Sequence, residues 1–231
     1  MMQNSLPPWE KLLKQMVWQQ LGDLHDRRIL DFGSGSGITA SHYARCNDVL
    51  AIEPSEEAVR NRCREYPYEQ RIGSTEQLKQ LPDESFDVIL CHNVLEYALD
   101  REDIVREFAR LLKKDGLLSI VKHNRAGRVM QMVVLLNDFD KAKALLDGQD
   151  GAASRYGTIR YYEDADVETW VNQLRIVQTL GIRTFWDLQQ NQEIQKNEEW
   201  QKRMLEMEMR VSEMEEYKAI AFFHHLMIRK R

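Results

Sequence analysis

The chain has 231 residues, and its 43% of apolar side chains is enough to build a large core within one domain. The net charge of −5 excludes a global positive field that attracts nucleic acid, but it leaves a local basic patch open. No apolar run approaches the roughly 20 residues of a membrane span, and no signal-peptide pattern begins the chain. The three cysteines, Cys46, Cys63 and Cys91, have no metal-binding spacing. We therefore expect a single cytoplasmic domain over residues 1–231, with reduced cysteines, no metal and no membrane partner.

The first predicted element is a helix over about residues 8–21, directly after Pro7. Its apolar residues repeat at helical spacing and give one buried face. Lys11 and Lys14 lie off that face. The helix either only covers a sheet or also closes over a ligand.

A glycine-rich loop follows a short buried strand, Ile29-Leu30-Asp31-Phe32. The loop has a glycine at every second position, Gly33, Gly35 and Gly37, so its backbone can turn sharply and approach a ligand closely. A predicted helix begins at Ile38 and directs its free N–H groups back over the loop. This geometry suits a nucleotide-like ligand. A glycine-rich turn without a ligand remains the alternative.

The second strand, Asp48 to about Ser55, contains an acidic residue near its end. Glu53 lies 16 residues after Gly37. A carboxylate at this point of a βαβ unit is placed to accept two hydrogen bonds from a ribose diol. The alternative is an acid that only begins the helix after Pro54.

Three further strands are predicted near residues 71–73, 86–93 and 117–121, with an amphipathic helix over 101–114. Strand and helix alternate, which predicts a parallel sheet with helices on both faces and ligands at the carboxyl ends of the strands. Polar residues follow those ends, namely Thr75, Glu76, His92, His123, Asn124 and Arg125.

After the fifth strand, residues of about 127–163 do not continue the alternation of strand and helix, which predicts a cap insertion. The cations in and before it are candidates to hold an anionic acceptor: Lys122, Arg125, Arg128, Arg155 and Arg160. Solvated surface cations are the alternative. The remaining predicted elements are a helix over 166–174, a strand over 176–185, a long helix over 189–217 and a last strand over 219–228.

The stretch from Ile29 to about Val121 resembles the class I S-adenosylmethionine-dependent methyltransferases. The motifs Asp31-x-Gly33-x-Gly35-x-Gly37 and Phe86-Asp87-Val88-Ile89 occur in that family's order. The third glycine comes one residue early for the dinucleotide pattern GxGxxG, which favours S-adenosylmethionine over NAD. The resemblance implies a Rossmann-like α/β fold, a doubly wound and mostly parallel sheet of seven strands whose last strand is antiparallel.

Further motifs resemble the bacterial tRNA carboxymethoxyuridine methyltransferases, which methylate a carboxylate on the wobble uridine. These are His92-Asn93-Val94-Leu95-Glu96-Tyr97, Asn137-Asp138-Phe139-Asp140 and Gly181-Ile182-Arg183-Thr184-Phe185. The resemblance implies cofactor contacts from the loop and strand ends, namely Asp31, Gly33, Ser34, Gly35, Gly37, Glu53, Pro54, Thr75, Glu76 and His92. The family's N-terminal Arg for the cofactor carboxylate has no clear match here, although Lys11 or Lys14 is nearby.

Methyl transfer is an in-line displacement at a sulfonium carbon, so alignment supplies much of the acceleration. A carboxylate acceptor needs no general base, whereas an alcohol or phenol does, and His92 and His123 are the candidates. The two methyltransferase hypotheses, with S-adenosylhomocysteine as product, are a tRNA enzyme and a small-molecule O- or N-methyltransferase. An NAD enzyme or a non-catalytic nucleotide-binding protein is the alternative of another class.

Overall fold

The computed structural model describes residues 6–153 and 157–231. Arg155, a predicted acceptor-binding residue, lies outside the described residues. The chain divides into two compact units. The first unit comprises Met1–Asp23, Lys122–Tyr161 and Thr179–His225. The second unit comprises Leu24–Val121, Tyr162–Gln178 and Leu226–Arg231.

Helices and strands alternate through the first half of the chain. The helices are α1 (Pro8–Leu21), α2 (Ile38–Ala44), α3 (Glu56–Arg60), α4 (Thr75–Leu78), α5 (Arg101–Leu111), α6 (Arg125–Val134), α7 (Phe139–Leu146), α8 (Asp166–Trp170), α9 (Glu198–Val211) and α10 (Glu215–Lys218). The strands are β1 (Arg28–Phe32), β2 (Asp48–Glu53), β3 (Glu69–Ile72), β4 (Phe86–His92), β5 (Leu112–His123), β6 (Gly151–Ala153), β7 (Gly157–Ile159), β8 (Leu174–Ile182) and β9 (Phe223–Lys230).

The main sheet has seven strands in the order β3-β2-β1-β4-β5-β9-β8. It is mostly parallel with one antiparallel strand, so the predicted fold class is confirmed. β1 pairs in parallel with both β2 and β4, with Leu30 opposite Leu50 on one side and Ile89 on the other. The chain order reverses direction across the sheet at β1 and β4. In such sheets ligands bind at this switch point, outside the carboxyl ends of the strands.

The strands of the second unit form where their apolar side chains are buried in its core. Leu30, Ile52 and Ile89 are fully buried, as expected for strands covered on both faces. Phe108 of α5 packs edge-on against Phe32 with ring centroids 5.4 Å apart. Each buried side chain of this size contributes roughly 1.5–3 kcal/mol.

The first unit is built mainly from helices. α1 contacts α9, and α6 contacts α7. The predicted N-terminal helix is confirmed, and its buried face comprises Leu12, Leu13, Met16, Val17 and Leu21. β6 and β7 form a separate antiparallel pair. Within the described ranges, no helix combines the length and apolarity that crossing a membrane requires.

The predicted end of α5 at Lys114 is wrong. α5 ends at Leu111, and β5 begins at Leu112, which has an extended backbone. Leu112 is fully buried opposite Phe86, and the register then shifts before Val88 pairs with Leu117. Burial of Leu112 in the sheet therefore outweighs the helical pattern of the sequence.

The predicted helix over 189–217 is also interrupted. A 3₁₀ turn over Gln192–Lys196 precedes α9, and α10 follows after an extended residue, Met214. Asn197 begins α9 because its side chain accepts a hydrogen bond from the backbone N–H of Trp200 at 2.8 Å. This cap sets the start of α9, which the continuous polar pattern of the sequence does not indicate.

Candidate functional site

The glycine-rich loop leaves β1 and is fixed to the end of β2. The backbone N–H of Gly33 donates to the carbonyl of Ile52 at 2.8 Å, and that of Gly35 donates to Oε2 of Glu53 at 2.8 Å. Gly35 has a φ of +53°, and a Cβ placed on it points into open space. A Cβ on Gly33 overlaps the side chain of Val94 instead. The loop therefore needs Gly33 for its own packing, whereas Gly35 exposes backbone to a ligand.

Glu53 organises this loop. Its Oε1 accepts from the backbone N–H of Ser55 at 3.0 Å, while Oε2 accepts from Gly35. Glu53 is only 8% exposed. Each carboxylate oxygen accepts more than one hydrogen bond, so Glu53 retains capacity for two hydroxyl donors. Pro54, the next predicted contact, is exposed beyond the strand.

Two buried polar atoms at neighbouring strand ends have no hydrogen-bond partner within the described part of the chain. They are Oγ of Ser34, after β1, and Oδ1 of Asn93, after β4. Asn93 also has a φ of +57°, an uncommon conformation that clusters at functional sites. Buried polar atoms without partners are costly, so both atoms favour a polar ligand at this edge of the sheet. With the open space at Gly35, they fit a nucleoside-type cofactor.

Asp31 gives the loop a buried negative charge, since it is 4% exposed at the end of β1. Burial raises the pKa of Tyr68 to about 12; the charge of Arg62 opposes this effect and that of Asp31 adds to it. Burial and Asp31 likewise raise the pKa of Tyr43 on α2. Both phenols therefore stay neutral at physiological pH. The Tyr68 hydroxyl donates to the carbonyl of Cys63 at 2.9 Å.

The predicted adenine residues are partly engaged within the protein. The buried hydroxyl of Thr75 donates to Oδ2 of Asp100 at 2.7 Å. The exposed Glu76 accepts from the backbone N–H of Ser74 at 2.7 Å, which ties it to the start of α4. Both residues lie just beyond β3, and Asp100 is a hydrogen-bond partner of Thr75.

The two histidines considered as bases have different surroundings. Nε2 of His92 lies 2.8 Å from the hydroxyl of Ser119, a fully buried residue of β5. His123 belongs to the first unit, where burial lowers its pKa to about 3, with smaller contributions from Arg128, Arg183 and Lys122. A histidine with so low a pKa is a weak proton acceptor, which argues against His123 as a general base.

Two of the predicted acceptor cations, Arg125 and Arg128, are engaged within the first unit. Nη1 of Arg125 donates to the carbonyls of Leu145 and Gln149, at 3.0 and 2.7 Å, and the guanidinium lies over Tyr161. Arg125 therefore stabilises contacts within the first unit. Arg128 donates instead to the side-chain oxygen of Gln131.

For the three other predicted cations, binding of the acceptor stays a prediction. Lys122 is buried, Arg160 follows β7, and Arg155 lies outside the described residues. Lys11 and Lys14 are half-buried on α1 of the first unit. Their contact with a cofactor carboxylate also stays a prediction.

Three residues with site-like surroundings were given no role from the sequence, namely Asn93, Asp100 and Arg183. Asn93 follows β4 directly, so its place at a strand end was the available signal. Asp100 had no such signal, and Arg183 was noted only as part of the motif Gly181-Ile182-Arg183-Thr184-Phe185, because their partners, Thr75 and Asp187, are recognisable only in the folded chain.

Comparisons with known proteins agree with this geometry. A family model described as a methyltransferase domain matches residues 30–120. The tRNA 5-carboxymethoxyuridine methyltransferase of Escherichia coli is 25% identical over 95% of this chain and 88% of its own length. A ubiquinone biosynthesis O-methyltransferase of Xanthomonas oryzae is 33% identical over 49% of this chain and 50% of its own length.

The methyltransferase YcgJ of Bacillus subtilis is similar in sequence and in structure. The two sequences are 34% identical over 42% of this chain, and the match spans only 41% of YcgJ. The crystal structure of YcgJ superposes with a TM-score of 0.55 at 18% identity, covering 96% of this chain and 99% of that chain. This structural likeness concerns the fold alone.

Proposed function

We propose that the whole chain is an S-adenosylmethionine-dependent methyltransferase, because a family model described as a methyltransferase domain matches residues 30–120. The observation that carries the proposal is the loop around Gly35, tied to Glu53 and open on its ligand side. S-adenosylmethionine, the cofactor indicated by the family, supplies an electrophilic methyl group when it is bound.

In this proposal the residues of the second unit bind and orient the cofactor. Glu53 accepts hydrogen bonds from the ribose diol, and Gly35 allows close approach of the backbone. Ser34 and Asn93 provide the hydrogen-bonding atoms that lack partners within the described residues. Thr75 and Glu76 lie at the adenine, and alignment of donor and acceptor supplies the acceleration.

We propose a carboxylate on a tRNA wobble uridine as the acceptor. The match to the Escherichia coli tRNA enzyme over 95% of the chain supports this choice. The low pKa of His123 supports it too, because a carboxylate attacks as an anion and needs no base. A cytoplasmic location belongs to the same proposal.

A small-molecule O-methyltransferase is the second candidate, favoured by the match to the Xanthomonas oryzae enzyme. An O-methyltransferase that acts on a phenol needs a base, for which His92 is the remaining candidate. Replacing His92 with Asn separates the two functions. With the cofactor at saturation, turnover falls strongly if His92 is a base and changes little if the acceptor is already an anion.

Thermal unfolding with added ligands tests the cofactor part of the proposal. S-adenosylhomocysteine is expected to raise the melting temperature, since it binds only the folded state, and NAD is expected to leave it unchanged. Equal stabilisation by NAD contradicts the proposal and favours a dinucleotide enzyme.

A further inference from the structure

Arg183 is a buried cation in a polar network of the first unit. Its Nε donates to Oδ2 of Asp187 at 2.8 Å, and its Nη2 donates to the other carboxylate oxygen. Nε2 of Gln131 also donates to Asp187, at 3.3 Å, and the oxygen of Gln131 accepts from Arg128. Arg128 and Arg183 each carry a positive charge and Asp187 a negative one, so these four side chains carry a net positive charge.

One edge of the Arg183 guanidinium is left over by this pairing. A guanidinium has five N–H donors in a rigid fork, and Asp187 takes only the edge formed by Nε and Nη2. Among the described residues, Nη1 of Arg183 has no acceptor. The side chain is only 7% exposed, so little of the guanidinium faces solvent. A carboxylate fits it, because two parallel N–H groups match two carboxylate oxygens.

Aromatic rings surround the same guanidinium. Its central carbon lies 5.3 Å from the ring centroid of Trp9, 5.0 Å from that of Phe222 and 5.3 Å from that of Phe223. Trp9 is 43% exposed, so part of its ring remains available to a ligand. A ligand that joins an anion to a planar ring finds complements to both parts here.

The electrostatic potential in this region is positive. The charges of Arg128, Arg183 and Lys122 all add to the effect of burial in lowering the pKa of His123. The rings of His123 and Phe222 are in contact, with centroids 5.6 Å apart. An anion entering this region is therefore attracted, although the chain as a whole is acidic.

The backbone holds Arg183 in an unusual conformation. Its φ is +62°, which L residues other than Asn and Asp seldom adopt. The backbone N–H groups of the next three residues, Thr184, Phe185 and Trp186, all donate to the buried carboxylate of Glu208. Strain that is fixed so firmly by its surroundings is typical of functional sites.

We infer that the open edge of Arg183 binds the carboxylate of the methyl acceptor, a uridine that carries an acidic side chain. Arg183 is thus a residue that determines acceptor specificity, and Asp187 and Glu208 position it. This inference rests on the proposed function and adds to it the group that distinguishes the acidic uridine from an ordinary one.

Two anticodon stem-loop RNAs that differ only at the wobble base test the inference. One carries 5-carboxymethoxyuridine and the other uridine, and their dissociation constants are measured by fluorescence anisotropy with saturating S-adenosylhomocysteine. The native protein is expected to prefer the acidic RNA. Arg183→Lys keeps a cation beside Asp187 but loses the fork, so we expect that preference to fall about tenfold or more.

A purely structural Arg183 gives a different pattern, in which Arg183→Lys lowers the melting temperature but leaves the preference between the two RNAs unchanged. That result overturns the inference, as does a native protein that binds both RNAs equally. Arg203→Gln, which removes an exposed cation of α9, is the matched control and is expected to keep the preference. If Arg183→Lys unfolds, the double variant Arg183→Gln with Asp187→Asn removes both charges of the pair together.

Affinity for S-adenosylhomocysteine separates this inference from the proposed function. Normal affinity together with an unchanged RNA preference in Arg183→Lys refutes the role of Arg183 alone. If the native protein does not bind S-adenosylhomocysteine at all, the proposed function itself is refuted.

Discussion

At the scale of single residues, Glu53 combines a structural task with the proposed binding task. It receives the backbone N–H groups of Gly35 and Ser55, so it shapes the loop as well as the start of α3. The two interpretations of this residue from the sequence, a ribose ligand and an acid that begins a helix, are therefore compatible. A substitution at Glu53 affects the ligand directly and through the loop.

Replacing Glu53 with Ala is expected to weaken S-adenosylhomocysteine binding by about 1.5–3 kcal/mol, the usual contribution of hydrogen bonds to a charged group. Isothermal titration calorimetry measures the change as a ten- to hundredfold rise in Kd. Glu57→Ala removes an exposed acid of α3 and serves as the control. Unchanged affinity in Glu53→Ala leaves the residue with its structural task only.

Gly35 tests the open face of the loop. Gly35→Val is expected to abolish cofactor binding in a folded protein, because its side chain fills space that the protein itself leaves empty. The positive φ adds roughly 1–2 kcal/mol of backbone strain. Gly148→Val is the matched control, since Gly148 also has a positive φ and open surroundings. Normal calorimetric affinity in Gly35→Val shows that the cofactor does not approach this loop.

At the scale of elements, α1 and β9 are linked within the first unit by a buried histidine. Nδ1 of His225 lies 2.8 Å from the side-chain oxygen of Gln20, whose nitrogen donates to the carbonyl of Gly181 at 3.1 Å. Because that oxygen only accepts, Nδ1 carries the proton. Burial lowers the pKa of His225 to about 3, so the ring is neutral in the folded state.

This burial predicts a loss of stability in acid. The unfolded state binds a proton below about pH 6.5, whereas the folded state does so only near pH 3, so stability is complete above pH 6.5 and declines as the pH falls between these values. One such histidine contributes at most about 1.4 kcal/mol per pH unit. Urea unfolding of His225→Gln from pH 7 to pH 4 is expected to show a shallower decline than the native protein.

His123, whose pKa is also about 3, contributes in the same direction, so part of the decline remains in His225→Gln. His25→Gln, a change at an exposed residue, is expected to keep the native slope. An undiminished slope in His225→Gln means that His225 is not the residue protonated on unfolding.

At the scale of the whole molecule, the sheet and the cofactor loop were predictable from the sequence. Continuous apolar runs such as Phe86–His92 and the regular spacing of Gly33, Gly35 and Gly37 are local signals, and the structure forms the strand and loop they predict. The ends of α5 and of the long polar helix were not predictable from periodicity. They depend on the pairing of Leu112 with Phe86 and on the cap formed by Asn197.

The residues proposed to bind the methyl acceptor were the least predictable part of the candidate site. The sequence offered several cations after the fifth strand, but it did not indicate that Arg125 is occupied by backbone carbonyls. It also did not indicate that Arg183 is buried among aromatic rings with a free edge. Such contacts join residues far apart in the chain, so no local pattern reveals them.

Transfer of a labelled methyl group is the most direct test of the central claim, that the chain methylates a carboxylate on tRNA. The protein is incubated with labelled S-adenosylmethionine and either total tRNA or a pool of small metabolites. The account predicts label in tRNA that mild alkali releases as methanol, because a methyl ester is hydrolysed whereas an N-methyl group or a methyl ether is not. Label confined to the metabolite pool, or label in tRNA that resists alkali, contradicts it.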